Sequence, residues 1–244
     1  MANPSKIVLP NANFVANAMM ALIGTSVAPA FLGVFGGSLP GSLRNLAAPG
    51  AAASTVAGAA PTIMSGFAEC LSFPETGFQT ALLEVPDYTW MGIVQGTSLT
   101  TGSCQVFGDR SGALSNDTLI TIDSTNINLF QATTSAPAST VVGPTSGATS
   151  QFGLYAFTGQ SGVGLTSQNL TVGQVNSVSA VANTNAFVQT TTPFKIGTGA
   201  NVTAAAGGVN IAVMGWWTSV LSAGDQAIAA AFMRKYAASV GITV

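Results

Sequence analysis

Short segments in which apolar and polar residues alternate recur through the middle of the chain. In the clearest one, Val209, Ile211 and Val213 alternate with Asn210 and Ala212. A repeat of two residues is typical of a β-strand with one face towards a core. Clusters of Gly, Pro, Asn and Asp separate such segments, as turns do. The pattern predicts nine or more short strands, at 80–85, 89–95, 103–107, 118–122, 126–131, 152–157, 169–175, 186–190 and 209–217.

No helical pattern lies between the predicted strands. Parallel sheets need helical crossovers, whereas antiparallel strands are joined by short turns. The middle of the chain is therefore predicted to form an antiparallel β-sandwich that begins near residue 66.

The repeat changes near the C-terminus. Ser222 is a helix-capping residue, and Asp225 follows three positions later. A stripe of large apolar residues then recurs every four positions, at Ile228, Phe232 and Tyr236. The pattern predicts a helix over 222–240 that packs this stripe on the sandwich and closes the domain over 66–244.

Residues 1–65 are rich in Ala, Gly and Pro, and no sustained repeat of 2 or 3.6 residues runs through them. Their large apolar side chains have no predicted place in the sandwich. Exposed together, these side chains would form a larger apolar patch than soluble monomers usually tolerate. We therefore predict an N-terminal assembly or anchoring arm over 1–65, with contacts to other subunits through Phe14, Met19, Met20, Phe31 and Phe35.

The first apolar stretch is predicted to be neither a signal peptide nor a transmembrane helix. Pro10, Asn11 and Asn13 interrupt it early, which argues against a signal peptide. Glycine and proline within 18–39 argue against a spanning helix.

Charge is scarce throughout. Charged residues make up 6% of the chain, against about 25% in a typical soluble domain. No charged residue lies between Asp123 and Lys195, and the formal net charge is −2. Six Lys and Arg residues cannot neutralise a phosphate track, so nucleic acid is excluded as a partner. So few surface charges favour self-association, which predicts a homo-oligomer.

The composition also limits the chemistry. The chain has no histidine, which excludes His-based catalytic triads and zinc sites. We predict neither a cofactor nor a metal. Cys70 and Cys104 are too few for a disulfide scaffold, and two buried thiols are favoured over one bridge, although the sequence leaves their pairing open.

The last 50 or so residues carry a family resemblance. Residues 194–199 read FKIGTG, 209–217 read VNIAVMGWW, and 220–225 read VLSAGD before the predicted helix. This order resembles the end of a laminin-G-like domain of the concanavalin-A-like lectin/glucanase superfamily. In outline the resemblance extends over about 70–244, and it implies a jelly-roll β-sandwich with a closing helix.

The resemblance also implies where active sites would lie. The enzymes of that superfamily carry acidic residues in a Glu-x-Asp-x-x-Glu arrangement on one strand, and glycoside cleavage needs two carboxyl groups across the scissile bond. None of the eight acids here are spaced two apart on a predicted strand, and Glu84 and Asp87 flank Pro86. We therefore predict that the protein is not an enzyme. Asp117 with Asn116, or Asp123 with Asn126, could be fragments of a calcium site, but turn capping is the favoured interpretation.

Trp216 and Trp217 form an adjacent aromatic pair. An exposed Trp216 would be a glycan contact, because sugar sites use aromatic platforms. Neighbouring residues of a strand face opposite sides, so the favoured alternative places one ring in the core and the other under the terminal helix.

The resemblance and the composition together indicate a function. Laminin-G-like domains rich in Ala, Gly, Ser and Thr and free of histidine resemble structural proteins of bacteriophage virions, such as tail, fibre or head-decoration components. This implies a virion protein, assembled in the host cytoplasm, that contacts itself and other virion proteins. The alternative is a lectin module that binds a cell-surface glycan, and a glycoside hydrolase is disfavoured by the missing carboxylate pair.

Overall fold

The structure, a computed structural model, describes residues 23–47, 54–71, 74–101, 103–109, 118–133, 136–142, 149–178, 187, 191–198 and 206–244. Within these ranges the strands are β1 Phe31–Val34, β2 Thr55–Gly58, β3 Thr62–Ile63, β4 Ala68–Leu71, β5 Thr76–Gln79, β6 Asp87–Thr101, β7 Cys104–Gly108, β8 Thr118–Ile122, β9 Ile127–Thr133, β10 Ala136–Val142, β11 Gly153–Gln160, β12 Gly164–Asn169, β13 Gln174–Val178, β14 Lys195–Ile196 and β15 Ala206–Trp217. The helices are α1, a single turn over Leu39–Ser42, and α2, Ala223–Ser239.

The strands form two antiparallel sheets. An eight-stranded sheet has the order β13-β12-β11-β6-β15-β4-β3, with β1 also paired to β15. A seven-stranded sheet has the order β10-β9-β8-β7-β14-β5-β2. One apolar cluster draws buried residues from both sheets, and a second lies between the eight-stranded sheet and α2. The predicted all-β sandwich with a C-terminal helix is thus confirmed.

The long central pair β6 and β15 organises the eight-stranded sheet. The predicted alternation along β15 holds only at its start: Val209 and Ile211 join the inter-sheet cluster, but Val213 joins the cluster under α2. The pairing with β6 shifts register between Ile211 and Val213. An extra residue at a bulge inverts the alternation that follows, so the three side chains do not share one face as predicted.

Aromatic side chains fill the middle of the inter-sheet core. The Trp216 ring stacks on Tyr88 at 4.8 Å between centroids and lies 5.2 Å from Phe107 and 5.0 Å from Phe194. Trp217 joins the other cluster, beneath α2. The prediction that one ring is core and the other is covered by the terminal helix is confirmed.

Helix α2 begins as predicted. Ser222 is its N-cap and accepts a hydrogen bond from the backbone N–H of Asp225 at 3.1 Å. Phe232, Met233 and Tyr236 are buried against the sheet, but Ile228 is 41% exposed. The predicted stripe is therefore wrong at Ile228, because the small residues Ala229 and Ala230 form that part of the packed face instead. Small side chains let the helix approach the sheet closely.

The described part of the N-terminal segment belongs to the sandwich, which corrects the predicted boundary at residue 65. Strand β1 pairs with β15 from Phe31 opposite Trp216 to Val34 opposite Val213. Strands β2 and β3 also belong to the two sheets. The prediction failed because β2 and β3 are only four and two residues long and β1 has its hydrogen-bond partner far along the chain.

A hydrogen-bond cluster fixes the start of this segment to α2. The Asp225 carboxylate accepts bonds from the backbone N–H and the hydroxyl of Ser26, both at 2.6 Å, and from the hydroxyl of Ser222 at 2.8 Å. These bonds hold the pKa of Asp225 below its ordinary value, with the Ser26 side chain as the largest cause. The charged carboxylate thereby joins two segments that lie at opposite ends of the chain.

Two of the predicted strands are wrong, and a third lies almost wholly outside the described residues. Residues 80–85 are not a strand, although Thr80 binds the carbonyl of Phe194 through both its backbone N–H at 2.9 Å and its hydroxyl at 2.8 Å. Residues 169–175 are largely a turn between β12 and β13, where the side chain of Asn169 accepts a bond from the backbone N–H of Thr171 at 3.0 Å. The predicted strand 186–190 lies outside the described residues except at Phe187.

Cys70 and Cys104 are both buried thiols that form no disulfide, in agreement with the favoured interpretation. Burial, followed by the nearby Glu69 carboxylate, raises the pKa of the Cys70 thiol well above its ordinary value. Across the described ranges, no helix combines the length and apolar character needed to cross a membrane.

Candidate functional site

The residues predicted as assembly contacts divide into two groups. Phe14, Met19 and Met20 lie outside the described residues. Phe31 and Phe35 are 2% and 0% exposed and belong to the inter-sheet core. These two phenylalanines are therefore core residues of their own chain, which corrects the prediction that they contact other subunits.

Trp216 is not placed to contact a glycan. Its side chain is 1% exposed and is enclosed by Tyr88, Phe107 and Phe194. The prediction of a sugar platform at Trp216 is wrong, because the strand that carries the ring lies at the centre of a sheet with both faces covered.

Two carboxylates lie in a buried polar cluster at one end of the sandwich. The Thr118 hydroxyl contacts both Glu84 and the side-chain oxygen of Gln131, and the Thr118 backbone N–H donates to Asp109 at 2.9 Å. The Tyr88 hydroxyl donates to Gln131 at 2.9 Å. Burial, followed by the Glu84 and Asp109 carboxylates, raises the pKa of Tyr88 well above its ordinary value.

A polysaccharide has no access to the carboxylates of this buried cluster. Glu84 is 6% exposed and Asp109 is 1% exposed. Asp87, the other acid beside Pro86, starts β6 and accepts a bond from the backbone N–H of Ser161 at 3.1 Å. The acids therefore hold loops and strands together and do not flank an open cleft.

Asp123 forms a turn, as the favoured interpretation predicts. Its side chain accepts bonds from the backbone N–H groups of Thr125 and Asn126, each at 2.7 Å. Partial burial raises the pKa of Asp123, but these bonds outweigh it and leave the pKa below its ordinary value. Within the described residues, no group of three acidic or cysteine side chains could hold a metal ion. Asn116 and Asp117 lie outside those residues.

A surface depression lies beside α2, and we call it the helix-flank trough. It has a volume of about 260 Å³ between α2 and β12 with the turn that follows. It is lined by Gln168, Leu170, Ala223, Gln226, Ala227, Ala230 and Arg234.

The polar groups of the trough are fixed by hydrogen bonds. The side-chain N–H of Gln168 donates to the side-chain oxygen of Gln226 at 3.1 Å, and Gln226 donates to the Leu221 carbonyl at 3.0 Å. Arg234 donates from Nη2 to the Leu170 carbonyl at 2.7 Å. Two amides and one guanidinium are therefore held over a floor of Leu170 and alanine side chains.

Arg234 also borders a second depression, which we call the C-terminal cleft. This cleft has a volume of about 400 Å³ and is lined by Arg234, Ala238, Gly241, Ile242, Thr243 and Val244. The volume of this cleft lies within the ~300–1,000 Å³ of typical ligand pockets, and the volume of the helix-flank trough lies slightly below that range. Arg234 is the residue that they share.

None of the residues predicted from the sequence as site residues lines the helix-flank trough. Gln226, Ala230 and Arg234 are spaced four residues apart, so they lie on one flank of a helix. That spacing could have predicted that these three residues lie together along one wall of the trough. The other wall, Gln168 and Leu170, lies far away in the sequence, and of these two residues only Leu170 fell within a segment predicted as a strand.

Comparison with known proteins shows similarity of fold only. No protein-family model matches the sequence, and no curated protein resembles it in sequence. The binding domain of botulinum neurotoxin serotype G aligns with a TM-score of 0.60 and 8% identity over 85% of this chain and 51% of that domain.

Two further structures agree with the first. The ligand-binding domain of botulinum neurotoxin serotype D, solved with N-acetylneuraminic acid, gives a TM-score of 0.59 and 10% identity over 86% of this chain and 52% of that one. The binding domain of Paraclostridial Mosquitocidal Protein 1 gives 0.51 and 8% identity over 73% of this chain and 45% of that one. The chain thus spans about half the length of the domains it resembles, and those neighbours are binding domains of β-sandwich fold.

Proposed function

We propose that this protein is a non-enzymatic recognition module whose β-sandwich binds a cell-surface glycan through the helix-flank trough. The observation that carries the proposal is the trough itself, where Gln168, Gln226 and Arg234 surround an apolar floor. The structural neighbours support it, because they are binding domains and one of them was solved with a sugar acid.

The chemistry of the trough suits a sugar. Sugar hydroxyls both donate and accept hydrogen bonds, whereas the ring carbons present apolar patches. One of the five N–H donors of Arg234 is used in binding Leu170. Gln168 uses one amide N–H and keeps its carbonyl oxygen as an acceptor. Leu170 and the exposed Ala227 provide the apolar contact.

The placement of the acids supports a role without catalysis. Glycoside hydrolysis needs two carboxyl groups on opposite sides of an accessible bond. Glu84 and Asp109 are buried, and Thr118 bonds to both of them. A hydrolase is the weakest of the three hypotheses.

We further propose that the sandwich is a laminin-G-like jelly roll of the concanavalin-A-like superfamily and that it is carried on a bacteriophage virion, as a tail, fibre or head-decoration component. The family pattern over 194–244 and the scarcity of charge support this assignment. In this proposal the protein assembles in the host cytoplasm, forms a homo-oligomer and contacts other virion proteins. Phe14, Met19 and Met20 would provide the contacts.

The two roles are compatible and can be tested separately. For the virion, mass spectrometry of purified phage particles should detect the protein at a fixed copy number. Its absence from intact particles of a phage that encodes it would exclude a virion role.

For recognition, the full chain should bind at least one oligosaccharide on a glycan array, saturably and without releasing new reducing ends. Gln226→Ala should weaken that binding about tenfold, since it removes a polar group from the trough. Gln151→Ala is the matched control, because Gln151 is exposed and does not line the trough. Binding that Gln226→Ala leaves unchanged would place the site elsewhere, and new reducing ends would refute the non-enzymatic role.

A further inference from the structure

Arg234 has an unusual position for a cation in so weakly charged a protein. It borders both the helix-flank trough and the C-terminal cleft. Its described hydrogen bond goes to a neutral backbone carbonyl, that of Leu170. The ion pair found among the described residues joins Lys195 and Glu75 at 2.8 Å and does not involve Arg234. The guanidinium is thus fixed in direction but has its charge available for a ligand.

We propose that the helix-flank trough selects glycans that bear a carboxylate, and that Arg234 is the residue that binds this group. The inference rests on the proposed glycan-binding function and specifies its ligand class. A guanidinium presents parallel N–H donors that match the two oxygens of a carboxylate, and such charge-assisted bonds are stronger than neutral ones.

One guanidinium favours a group with a single negative charge. A phosphate or a multiply sulfated sugar would need further cations to offset its desolvation. Lys235 is adjacent in sequence but lines neither depression. A lone arginine beside neutral amides therefore fits a sugar acid better than it fits a polyanion.

The carboxylate should lie on the Ala230 side of Arg234. The C-terminal cleft surrounds the end of α2, near Ala238 and Gly241, where the aligned peptide dipoles give the helix a partial negative charge. The trough lies along the body of the helix, where that effect is absent. Leu170 and the exposed Ala227 then contact the sugar ring, and the side-chain carbonyl of Gln168 accepts from a hydroxyl.

The acid on the same helix does not oppose this arrangement. Asp225 lies nine residues before Arg234, about 13 Å along the axis at 1.5 Å per residue. Its charge is engaged by Ser26 and Ser222. Charges farther apart than about 8 Å are largely screened at physiological ionic strength.

The experiment compares acidic oligosaccharides with neutral partners of the same shape. The full chain is tested against 3′-sialyllactose and tetragalacturonate, each paired with its methyl ester, and against a sulfated lactose. The acidic member of a carboxylate pair should bind at least tenfold more tightly than its neutral partner, and its affinity should fall as salt rises.

Two variants that each remove one positive charge test whether the preference for a carboxylate depends on Arg234. Arg234→Gln should abolish the preference for the carboxylate, whereas Lys235→Gln should leave it within twofold of the parent. Arg234→Lys should retain part of the preference, because it keeps the charge but not the paired donors. Equal thermal melting of the variants confirms that each is folded.

The other outcomes are distinguishable. If neutral sugars bind as tightly as acidic ones, or if Lys235→Gln is as damaging as Arg234→Gln, the carboxylate inference is wrong while glycan binding stands. Preference for the sulfated sugar also overturns it. If no oligosaccharide binds on these probes or on the wider array, the proposed function fails together with the inference.

Discussion

Gly197 follows β14 and has a backbone conformation that restricts it to glycine. Its φ is +77°, and a Cβ at this position would lie 2.4 Å from both Cβ and Sγ of Cys70. The backbone N–H of Gly197 donates to the Val106 carbonyl at 2.9 Å, which fixes the chain there. The residue therefore allows β14 to approach β4 of the opposite sheet.

Gly197→Ala should lower the free energy of unfolding by about 2–5 kcal/mol. Left-handed backbone costs a non-glycine residue about 1–2 kcal/mol, and overpacking adds about 1–3 kcal/mol. The measurement is the urea midpoint of the two proteins, with the slope of the transition unchanged.

Gly162→Ala separates the two causes. Gly162 has a φ of +74° with nothing within 4 Å of an added Cβ. This control should lose only the backbone part, about 1–2 kcal/mol. Equal losses at the two positions would show that the contact with Cys70 relaxes without cost.

At the scale of elements, α2 provides an internal comparison between a buried and an exposed apolar residue. Met233 is fully buried under the helix, whereas Ile228 is 41% exposed on the same helix. The sequence pattern predicted burial for Ile228 as part of the apolar stripe.

Met233→Ala should destabilise the protein by about 2–5 kcal/mol, because it leaves a cavity against Trp217 and the sheet. Ile228→Ala should change the stability by less than about 0.5 kcal/mol, as is usual for a surface site. Urea titration of both variants measures the difference. A larger loss at Ile228 would mean that its exposed face packs against another subunit or another part of the chain.

Some elements could be predicted from local sequence and others could not. Strands β6, β7, β8, β9, β11 and β15 overlap predicted segments, because runs of apolar and β-branched residues and their turns are local signals. Strand β1 has four residues and finds its partner β15 almost two hundred residues later. Its apolar run Phe-Leu-Gly-Val carries no alternation, because β1 is covered on both faces.

The candidate site was harder to predict than the fold. The helix wall of the trough is present in the spacing of Gln226, Ala230 and Arg234. The strand wall depends on the turn after β12, which Asn169 forms by accepting a bond from Thr171. An Asn followed by a Gly four residues later was the missed signal, since both residue types favour turns. Arg234 lies in the body of α2 and not in its last turn, because the helix continues to Ser239.

At the scale of the whole molecule, the two ends of the described chain hold each other in place. β1 pairs with β15, the strand that precedes α2, and Ser26 binds Asp225 in the first turn of α2. The hydroxyl of Tyr236 also donates to the Phe35 carbonyl at 3.4 Å. The sandwich is thus closed by its N-terminal segment as well as by its terminal helix.

Deleting residues 1–35 should therefore abolish cooperative unfolding, and it should not release an independent domain. The deletion removes the buried side chains of Phe31, Leu32 and Phe35. Each fully buried large apolar side chain contributes about 1.5–3 kcal/mol, so the loss approaches the 5–15 kcal/mol that holds a typical domain folded. It also exposes one edge of β15, which invites pairing with another chain.

Deleting only residues 1–22 is the comparison, because it leaves β1 and the Ser26 contact intact and removes Phe14, Met19 and Met20. That shorter deletion should melt cooperatively and lose self-association in sedimentation if these residues form the assembly contacts. A stable, cooperatively melting protein after removal of 1–35 would show that the N-terminal segment is dispensable to the core.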